Sequence, residues 1–231
     1  MRVILTREEE DLKKDKEIFI NEGFEVVELP LIKTVPIDFK LPLEEYDYIV
    51  FQSKRAVKYF LDKEKIRKGA KIVSVGGTTS EELRKYGYEP DYVPEEENVR
   101  GLIRLFRILR KGKVLIPRSS IGRRELINFL LEENFEVFPV DVYTIEPIIY
   151  DTKTLKEKLK GDYILFYSPS AVESFFANLQ KAGIKTDKLK LNYVAIGKTT
   201  KKALEKEGLT NILVSPKPST EEVVKLLKET A

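Results

Sequence analysis

The chain contains no cysteine, no histidine and no tryptophan, and it has a single methionine. It therefore has no thiolate nucleophile, no imidazole base and none of the usual side-chain ligands of zinc or haem. These absences exclude Ser-His-Asp and Cys-His catalysis and histidine-bound metal centres. Any acid or base must be Asp, Glu, Lys, Tyr or a bound water.

The chain also lacks a large excess of one charge and any long apolar run. Lys and Arg number 41 against 38 Asp and Glu, a net charge of +3, so we expect a mixed surface and no nucleic-acid partner. No stretch approaches the roughly 20 apolar residues that span a bilayer, and the start MRVILTR has no signal-peptide pattern, so we expect no membrane partner and a cytoplasmic protein. Heavy use of Lys and Glu is typical of thermophiles.

Short β-branched or aromatic runs alternate with amphipathic, charge-rich stretches. This alternation predicts parallel sheets with helices on both faces, an α/β fold of the flavodoxin-like kind. The predicted strands are Val3–Leu5, Val26–Leu29, Tyr48–Phe51, Lys71–Val75, Val114–Ile116, Val137–Val142, Tyr163–Phe166 and Tyr193–Ile196. Capping boxes are predicted at Thr6/Glu9, Thr79/Glu82, Ser170/Glu173 and Ser219/Glu222, and helix ends at Gly23, Gly87, Gly183 and Gly208.

The sequence contains an internal duplication of the form A-B-A′-B′. DYIVFQSKRAV from Asp47 matches DYILFYSPSAV from Asp162 at seven of eleven positions. VSVGGTTSEELRKYG from Val73 matches VAIGKTTKKALEKEG from Val194 at seven of fifteen. VILTR from Val3 parallels VLIPR from Val114. The two halves are therefore expected to form similar domains.

The linkers predict which quarters share a core. Only Arg110–Gly112 separates B from A′, too short a link to join two domains. The other two junctions are longer, extended and contain proline. We therefore predict a discontinuous domain from 1–33 and 152–231, an inserted domain at 38–145, and a two-stranded linker at 34–37 and 146–151.

Polar residues recur at the carboxyl ends of the predicted strands, where parallel sheets bind ligands. The candidate binding residues are Thr6, Arg7, Ser53, Gly76, Thr78, Arg118, Ser168, Ser170, Gly197, Thr199 and Thr200, and we expect them to face one interdomain cleft. Helix N-termini and Arg side chains suit a ligand with several carboxylates.

Simpler roles stay open for these residues. Ser and Thr are also preferred helix caps whatever the function, and Arg7 and Arg118 can be solvated first-turn residues. However, Arg at a helix N-terminus opposes the dipole and so needs a nearby anion, which favours binding. Gly197-Lys198-Thr199 lacks the earlier glycine of a P-loop, and the run Glu95–Glu97 is predicted to be a solvated loop.

In the order of its motifs, the chain resembles the uroporphyrinogen-III synthase family over about 220 residues. The motifs are VILTR, the two F-x-S-x-x-A-V segments at Phe51–Val57 and Phe166–Val172, Pro117-Arg118, Val142-Tyr143, and Ile196–Thr200 followed by Pro216. Gln52 and Tyr167 stand where the family usually has Thr, so at these two positions we expect contacts through the backbone.

The resemblance implies a cyclising hydro-lyase that needs no cofactor and no metal. Hydroxymethylbilane loses its terminal hydroxyl, and the ring closes through a spiro intermediate with ring D inverted. The product is uroporphyrinogen III, a tetrapyrrole precursor of haem, sirohaem and cobalamin. The resemblance also points to Tyr143 as proton donor to the departing hydroxyl, against a simple packing role. We expect a monomer.

Two other classes of function remain open. Two α/β lobes joined by two crossings also describe a hinged binding protein for a small anionic ligand. A glycosyl or phosphoryl transferase is the third possibility, although the chain has no nucleotide-phosphate loop.

Overall fold

The computed structural model describes residues 1–42 and 45–230. The strands are β1 (Arg2–Leu5), β2 (Glu25–Glu28), β3 (Ile32–Pro36), β4 (Tyr48–Phe51), β5 (Lys71–Ser74), β6 (Lys113–Ser119), β7 (Glu136–Pro147), β8 (Tyr163–Phe166), β9 (Asn192–Ala195) and β10 (Ile212–Val214). The helices are α1 (Glu9–Asn21), α2 (Lys54–Leu61), α3 (Gly77–Lys85), α4 (Val99–Ile108), α5 (Glu125–Glu132), α6 (Thr152–Lys158), α7 (Pro169–Ala182), α8 (Lys198–Lys206) and α9 (Thr220–Thr230). A short 3-10 helix spans Thr186–Lys188.

Each predicted strand overlaps an observed one, and the sequence analysis missed β10. The strand β3 overlaps the first strand of the linker predicted at 34–37, and it lies beside β7 at the edge of a sheet. The strand β10 is only three residues long, too short for a periodic pattern. Within residues 1–42 and 45–230, no helix has both the length and the apolarity that crossing a bilayer requires.

The chain divides into two compact units. The terminal unit comprises Met1–Thr34 and the chain from Ile145 onward, and the inserted unit comprises Val35–Thr144. The chain passes from one unit to the other inside β3 and inside β7, which are neighbours in sheet order. That each unit folds independently, as the domain limits 1–33 with 152–231 and 38–145 imply, stays a prediction.

The sheet of the terminal unit has the order β10-β9-β8-β1-β2, and its pairs are parallel. Its central strand β8 is buried at all four positions because helices cover both faces. Phe166 and Phe175 lie in the core on one face. Phe19 of α1 and Leu227 of α9 lie in the core on the other. The predicted layering is confirmed.

The sheet of the inserted unit has the order β3-β7-β6-β4-β5. The strand β4, which lies between β6 and β5, is likewise buried throughout. Val50 packs on one face with Leu102 of α4 and Leu126 of α5. Phe51 points to the other face, where its ring lies 5.8 Å from that of Phe60 in α2. The helices α2 and α5 therefore cover opposite faces of this sheet.

The two sheets share an arrangement that follows the duplication. The order β2-β1-β8-β9 in the terminal unit corresponds to β7-β6-β4-β5 in the inserted unit. The left-handed residue that closes the first helix also recurs, as Gly23 with φ 85° after α1 and Asn134 with φ 62° after α5. Asn is the non-glycine residue that best tolerates this conformation. The predicted fold class of two similar parallel-sheet domains is confirmed.

The predicted helix ends are correct, but three of the four predicted caps are wrong. Gly23, Gly87, Gly183 and Gly208 have positive φ at helix ends. Ser219 accepts a hydrogen bond from the amide of Glu222, as a cap should. The other three boxes, at Thr6, Thr79 and Ser170, do not cap, because Glu8, Gly76 and Ser168 occupy the cap positions. Thr79 and Ser170 lie inside the first turn of their helices.

Candidate functional site

The carboxyl ends of β4 and β6 form the topological switch point of the inserted unit. The two strands are neighbours, and the helices that follow them, α2 and α5, leave on opposite faces. Ligands of open parallel sheets bind in the crevice that such a divergence creates. The candidate residues Ser53, Arg118 and Tyr143 lie at or beside these strand ends.

Ser53 and Tyr143 contact each other through their hydroxyl groups. The Oγ of Ser53 lies 3.3 Å from the Oη of Tyr143, and either group can be the donor. Ser53 is also the N-cap of α2, and its Oγ accepts a hydrogen bond from the amide of Ala56 at 3.1 Å. The duplication signalled Ser53 and the resemblance signalled Tyr143, but only the tertiary structure shows that they are partners.

The position of Tyr143 depends on irregular pairing between β6 and β7. The register shifts between Arg118 and Ser119, so that Ser119 pairs with Tyr143. Tyr143 is 7% exposed, and its ring stacks on that of Tyr59 with the centroids 5.5 Å apart and the planes at 27°. The phenol is therefore held at both its ring and its hydroxyl.

Arg118 is a buried cation with few partners. Its Nη2 donates a hydrogen bond to the carbonyl of Gly122, which ties the side chain to the loop after β6. Its Nε lies 3.7 Å from Asp141 and makes no hydrogen bond with the described residues. Burying a guanidinium with so little compensation is unfavourable. Arg118 thus retains donor capacity that an anionic ligand could use.

The matching residue of the terminal unit, Arg7, has its anions within the fold. Its Nη1 lies 2.9 Å from Asp15 and its Nε lies 3.4 Å from Asp11, both on α1. Burial by itself lowers the pKa of Arg7, but the two carboxylates outweigh it and raise the pKa above its ordinary value. Arg7 therefore needs no external anion, in contrast to the expectation from its place at a helix N-terminus.

Asp15 organises a polar cluster at the carboxyl end of β8. Its second oxygen accepts a hydrogen bond at 2.8 Å from Thr220, the first residue of α9. The ring of Tyr167 lies under the guanidinium of Arg7 at 5.1 Å. Burial and then the charge of Asp15 raise the pKa of Tyr167. Tyr167 aligns with Gln52 in the duplication. The cluster therefore corresponds in position to the space beside Gln52 in the inserted unit.

The N-termini of α3 and α8 are equivalent in sequence but differ in occupancy. Gly76 and Gly197 are the respective N-caps. At α3 the carboxylate of Glu97 accepts a hydrogen bond from the amide of Gly77 at 3.0 Å. The same side chain fills the space beside Gly76. At α8 no described atom comes within 4 Å of a Cβ built on Gly197. Glu97 lies in an exposed loop, as predicted, and its contact with Gly77 is an additional role that the sequence did not indicate.

The remaining candidates divide into structural and accessible residues. Thr6 is fully buried, and its hydroxyl donates to the carbonyl of Leu165 at 2.7 Å, which joins the end of β1 to β8. Thr200 is also buried, at 3% exposure. Ser168 caps α7 through the amide of Ala171 at 3.3 Å. The accessible or partly accessible residues are Thr78 on α3, Ser170 on α7 and Thr199 on α8.

A cavity of about 400 Å³ lies at the carboxyl ends of β4 and β5. Gln52, Val75, Glu97 and Arg123 are among its lining residues. A larger groove of about 640 Å³ lies along the C-terminal half of α7 in the terminal unit, and none of the predicted site residues lines either of these two spaces. The smaller cavity is the better candidate for a ligand site, because ligands of open parallel sheets bind at the carboxyl ends of the strands.

Glu97, Asp15 and Tyr59 are site neighbours that the sequence reading missed. Asp11 and Asp15 follow Arg7 at spacings of four and eight, which places all three on one helical face, so this cluster had a readable signal. The other two contacts join residues 20 and 84 positions apart, Gly77 to Glu97 and Tyr59 to Tyr143. No local pattern in the sequence signals such pairs.

Comparison with known proteins finds one family model, described as uroporphyrinogen-III synthase HemD, that matches residues 13–225. A relative from Methanocaldococcus jannaschii, named for the same synthase, is 32% identical and the alignment covers 99% of this chain and 100% of the relative. The porphyrin biosynthesis protein HemD of Ruminiclostridium josui is 27% identical over 98% of this chain, and the chain spans 48% of that protein's length.

Two solved structures share the fold. The uroporphyrinogen-III synthetase of Helicobacter pylori superposes with a TM-score of 0.74 at 18% identity, with complete coverage of both chains. A mutant uroporphyrinogen III synthase of Thermus thermophilus gives a TM-score of 0.61 at 18% identity, covering 99% of this chain and 98% of that one. At these identities the likeness concerns the fold alone.

Proposed function

Because this chain belongs to the uroporphyrinogen-III synthase family, we propose that it converts hydroxymethylbilane into uroporphyrinogen III. The observation that carries the proposal is the family match over residues 13–225, which includes both halves of the duplication. The residue inventory is compatible with it. A reaction driven by pyrrole nitrogens needs no thiol, imidazole or metal, and this chain has neither Cys nor His.

We propose that Tyr143 donates a proton to the departing hydroxyl. The pyrrole nitrogen supplies the electron pair that expels water and leaves an azafulvene. The substituted α-carbon of ring D attacks it to form the spiro intermediate, and the bond from that carbon to its original methylene bridge then breaks. The freed methylene bonds to the unsubstituted α-carbon of ring D, so that ring D is inverted, and that carbon finally loses one proton. This proton balances the one that left with water. A phenol suits the first step because its hydroxyl group can donate a proton.

For the substrate carboxylates we propose the amides at the N-terminus of α8, together with the exposed Thr199. This terminus is the open one of the equivalent pair, since Glu97 occupies the α3 terminus. A carboxylate at a helix N-terminus gains about 0.3 to 1 kcal/mol. Ser168, Ser170 and Arg118 remain proposed contributors, and Gly76, Thr78, Arg7, Thr6 and Thr200 are weaker candidates because their groups are occupied, buried or beside an occupied terminus.

The decisive experiment supplies hydroxymethylbilane to the purified protein and separates the type I and type III isomers after oxidation. We expect mainly type III. Without enzyme the substrate closes to the symmetric type I product, so a mixture identical to the enzyme-free control refutes the synthase. If the protein instead bound hydroxymethylbilane without turnover, a hinged binding protein for an anionic ligand would be the better description.

We further propose that the protein is a cytoplasmic monomer. The support is the mixed charge of the chain, with 41 Lys and Arg against 38 Asp and Glu, which is typical of soluble proteins. Light scattering coupled to size-exclusion chromatography measures the mass directly. A mass near 26.7 kDa is expected, and twice that value refutes the monomer.

A further inference from the structure

We infer that Ser53 is a positioning residue that aims the proton of Tyr143 at the substrate. The inference rests on the proposed role of Tyr143 as proton donor and adds the group that orients it. The contacts that support it lie within the inserted unit, between α2, the end of β4 and β7.

The hydrogen bonds of Ser53 define a direction for proton donation. Its Oγ accepts a hydrogen bond from the amide of Ala56 at 3.1 Å. One lone pair of the oxygen is therefore used in capping α2. A hydroxyl has one proton to donate, and the Oη of Tyr143 lies 3.3 Å away. When Ser53 donates to that oxygen, the phenol cannot donate back along the same line. The proton of Tyr143 must then point away from Ser53, where it is available to a ligand.

The same helix also fixes the ring of Tyr143. Tyr59 lies six residues after Ser53 on α2, and its ring stacks on Tyr143 with the centroids 5.5 Å apart. One rigid element therefore sets both the ring plane and the hydroxyl of a residue on β7. Catalytic groups held by packing and by a supporting hydrogen bond need little reorganisation when the reaction occurs.

Ser53 also connects Tyr143 to the N-terminus of α2. Proton donation leaves a phenolate, which is stabilised by a hydroxyl donor and by the positive end of a helix dipole. Ser53 supplies the donor and, as N-cap, lies at that dipole. Its effect should therefore appear in kcat, since the phenolate develops only as the substrate reacts.

The duplication provides an internal comparison. Ser168 caps α7 as Ser53 caps α2. With the alignment that pairs Val3 with Val114, the position equivalent to Tyr143 is Ile32, which has no hydroxyl. The serine is thus common to both halves as a cap, but only Ser53 has a phenol at the matching position. The pairing with Tyr143 is an addition to capping.

A double-mutant cycle tests the inference, with kcat and KM for formation of type III product measured for Ser53→Ala, Tyr143→Phe and the double variant. We expect Ser53→Ala to lower kcat about tenfold with less than a twofold change in KM. In the Tyr143→Phe background the same substitution should have no further effect, because Ser53 acts through the phenol. Ser53→Thr, which keeps the hydroxyl, should recover kcat to within threefold.

Two further variants separate catalysis from loss of the cap. Ser219→Ala removes an equivalent cap from α9 and should lower the melting temperature without changing kcat. Ser53→Gly retains most of the capping stability, so it gives the same reading if Ser53→Ala fails to fold.

The possible failures are distinguishable. Wild-type kcat in both Ser53→Ala and Ser53→Gly overturns the inference. If Ser53→Ala lowers kcat by the same factor in the wild-type and Tyr143→Phe backgrounds, the inference is also overturned. Ser53 would then contact the substrate directly, and Tyr143 would remain the proposed acid. Wild-type kcat in Tyr143→Phe removes the proposed acid and the inference together.

Discussion

At the scale of single residues, equivalent positions in the duplicated halves have different partners. Arg7 is neutralised by Asp15 and Asp11, whereas within residues 1–42 and 45–230 the carboxylate paired with Arg118 is that of Asp141, at 3.7 Å. Sequence comparison treats the two arginines as equals. The tertiary structure separates them, because the anions belong to α1 and have no counterpart beside Arg118.

Tyr143→Phe should lower kcat by about 10² while leaving the melting temperature within a few degrees of wild type. The factor is at the low end of the 10²- to 10⁴-fold typical of acid catalysis, because hydroxymethylbilane ionises partly unaided. The ring and its stacking on Tyr59 persist in the variant. Steady-state kinetics and calorimetry provide the two measurements, and wild-type kcat would assign Tyr143 to packing.

Replacing each arginine by Ala should give different results. Arg118→Ala should raise KM about tenfold, because a charged hydrogen bond contributes about 1.5 to 3 kcal/mol. Arg7→Ala should mainly lower the free energy of unfolding, by about 1 to 3 kcal/mol, because it leaves Asp15 buried without its cation. This range lies below the loss expected for a fully buried ion pair, because the side chain of Arg7 is partly exposed to solvent.

The second substitution Asp15→Asn serves as the control for the Arg7 variant. A neutral amide needs no cation, so Asp15→Asn should recover part of the stability lost in Arg7→Ala. Denaturant unfolding measures the free energies. A raised KM in Arg7→Ala with unchanged stability would reinstate Arg7 as a binding residue.

Glu97→Ala should lower KM two- to fivefold. The change exposes the amide of Gly77 at the N-terminus of α3, which can then receive a substrate carboxylate worth about 0.3 to 1 kcal/mol. Glu95 is exposed on the same loop and makes no hydrogen bond or ion pair with α3 among the described residues, so Glu95→Ala provides a charge-matched control. Equal changes in both variants would indicate a general effect of charge, not the opening of this terminus.

At the scale of elements, short contacts around α4 hold the loop that carries Glu97. Asn98 caps α4 through the amides of Arg100 and Gly101 at 2.8 and 3.1 Å. A Cβ on Gly101 would collide with the backbone carbonyl of Glu96. The position of Glu97 is therefore set by close packing of its neighbours, not by its own side chain alone.

Gly101→Ala should destabilise the protein although Ala is the better helix former by about 1 kcal/mol. The collision with the carbonyl of Glu96 must displace the loop, and this outweighs the gain in propensity. Gly77→Ala is the control, since the nearest atoms to its Cβ lie at 3.7 Å. A melting temperature above wild type in Gly101→Ala would contradict the close approach.

At the scale of the whole molecule, the chain order A-B-A′-B′ forms two sheets that each need strands from distant parts of the sequence. In the terminal unit, β1 pairs with β8 across about 160 residues. In the inserted unit, β4 pairs with both β5 and β6. The inserted unit thus has the more local topology, which favours folding on its own.

A fragment of residues 35–144 should unfold cooperatively when expressed alone. It contains β4, β5, β6 and nine of the twelve residues of β7, with their helices. A fragment of residues 1–109 should not, because it separates β1 from β8 and β4 from β6. Urea denaturation followed by circular dichroism measures both, and the opposite result would mean that the quarters do not fold in these pairs.

The sequence by itself determined the fold class, the duplication and most strands. These follow from local periodicity and from repeats, as in the buried runs of β4 and β8, which are readable without knowing any partner. Helix closure at Gly183 was readable for the same reason, since the required left-handed conformation favours glycine at that single position. The predicted caps at Thr6 and Ser170 are wrong because the four-residue capping pattern does not fix the exact start of a helix. The nearby residues Glu8 and Ser168 occupy the cap positions.

Only the tertiary structure decided which candidate groups are free to act. Thr6 and Arg7 have the right residue types, yet a carbonyl of β8 and the carboxylates of α1 already engage them. Glu97 reaches α3, and Ser53 meets Tyr143 across 90 positions of sequence. The physical reason is that a hydrogen bond depends on positions within a few tenths of an ångström. Those positions come from the packing of whole elements, which no local pattern encodes.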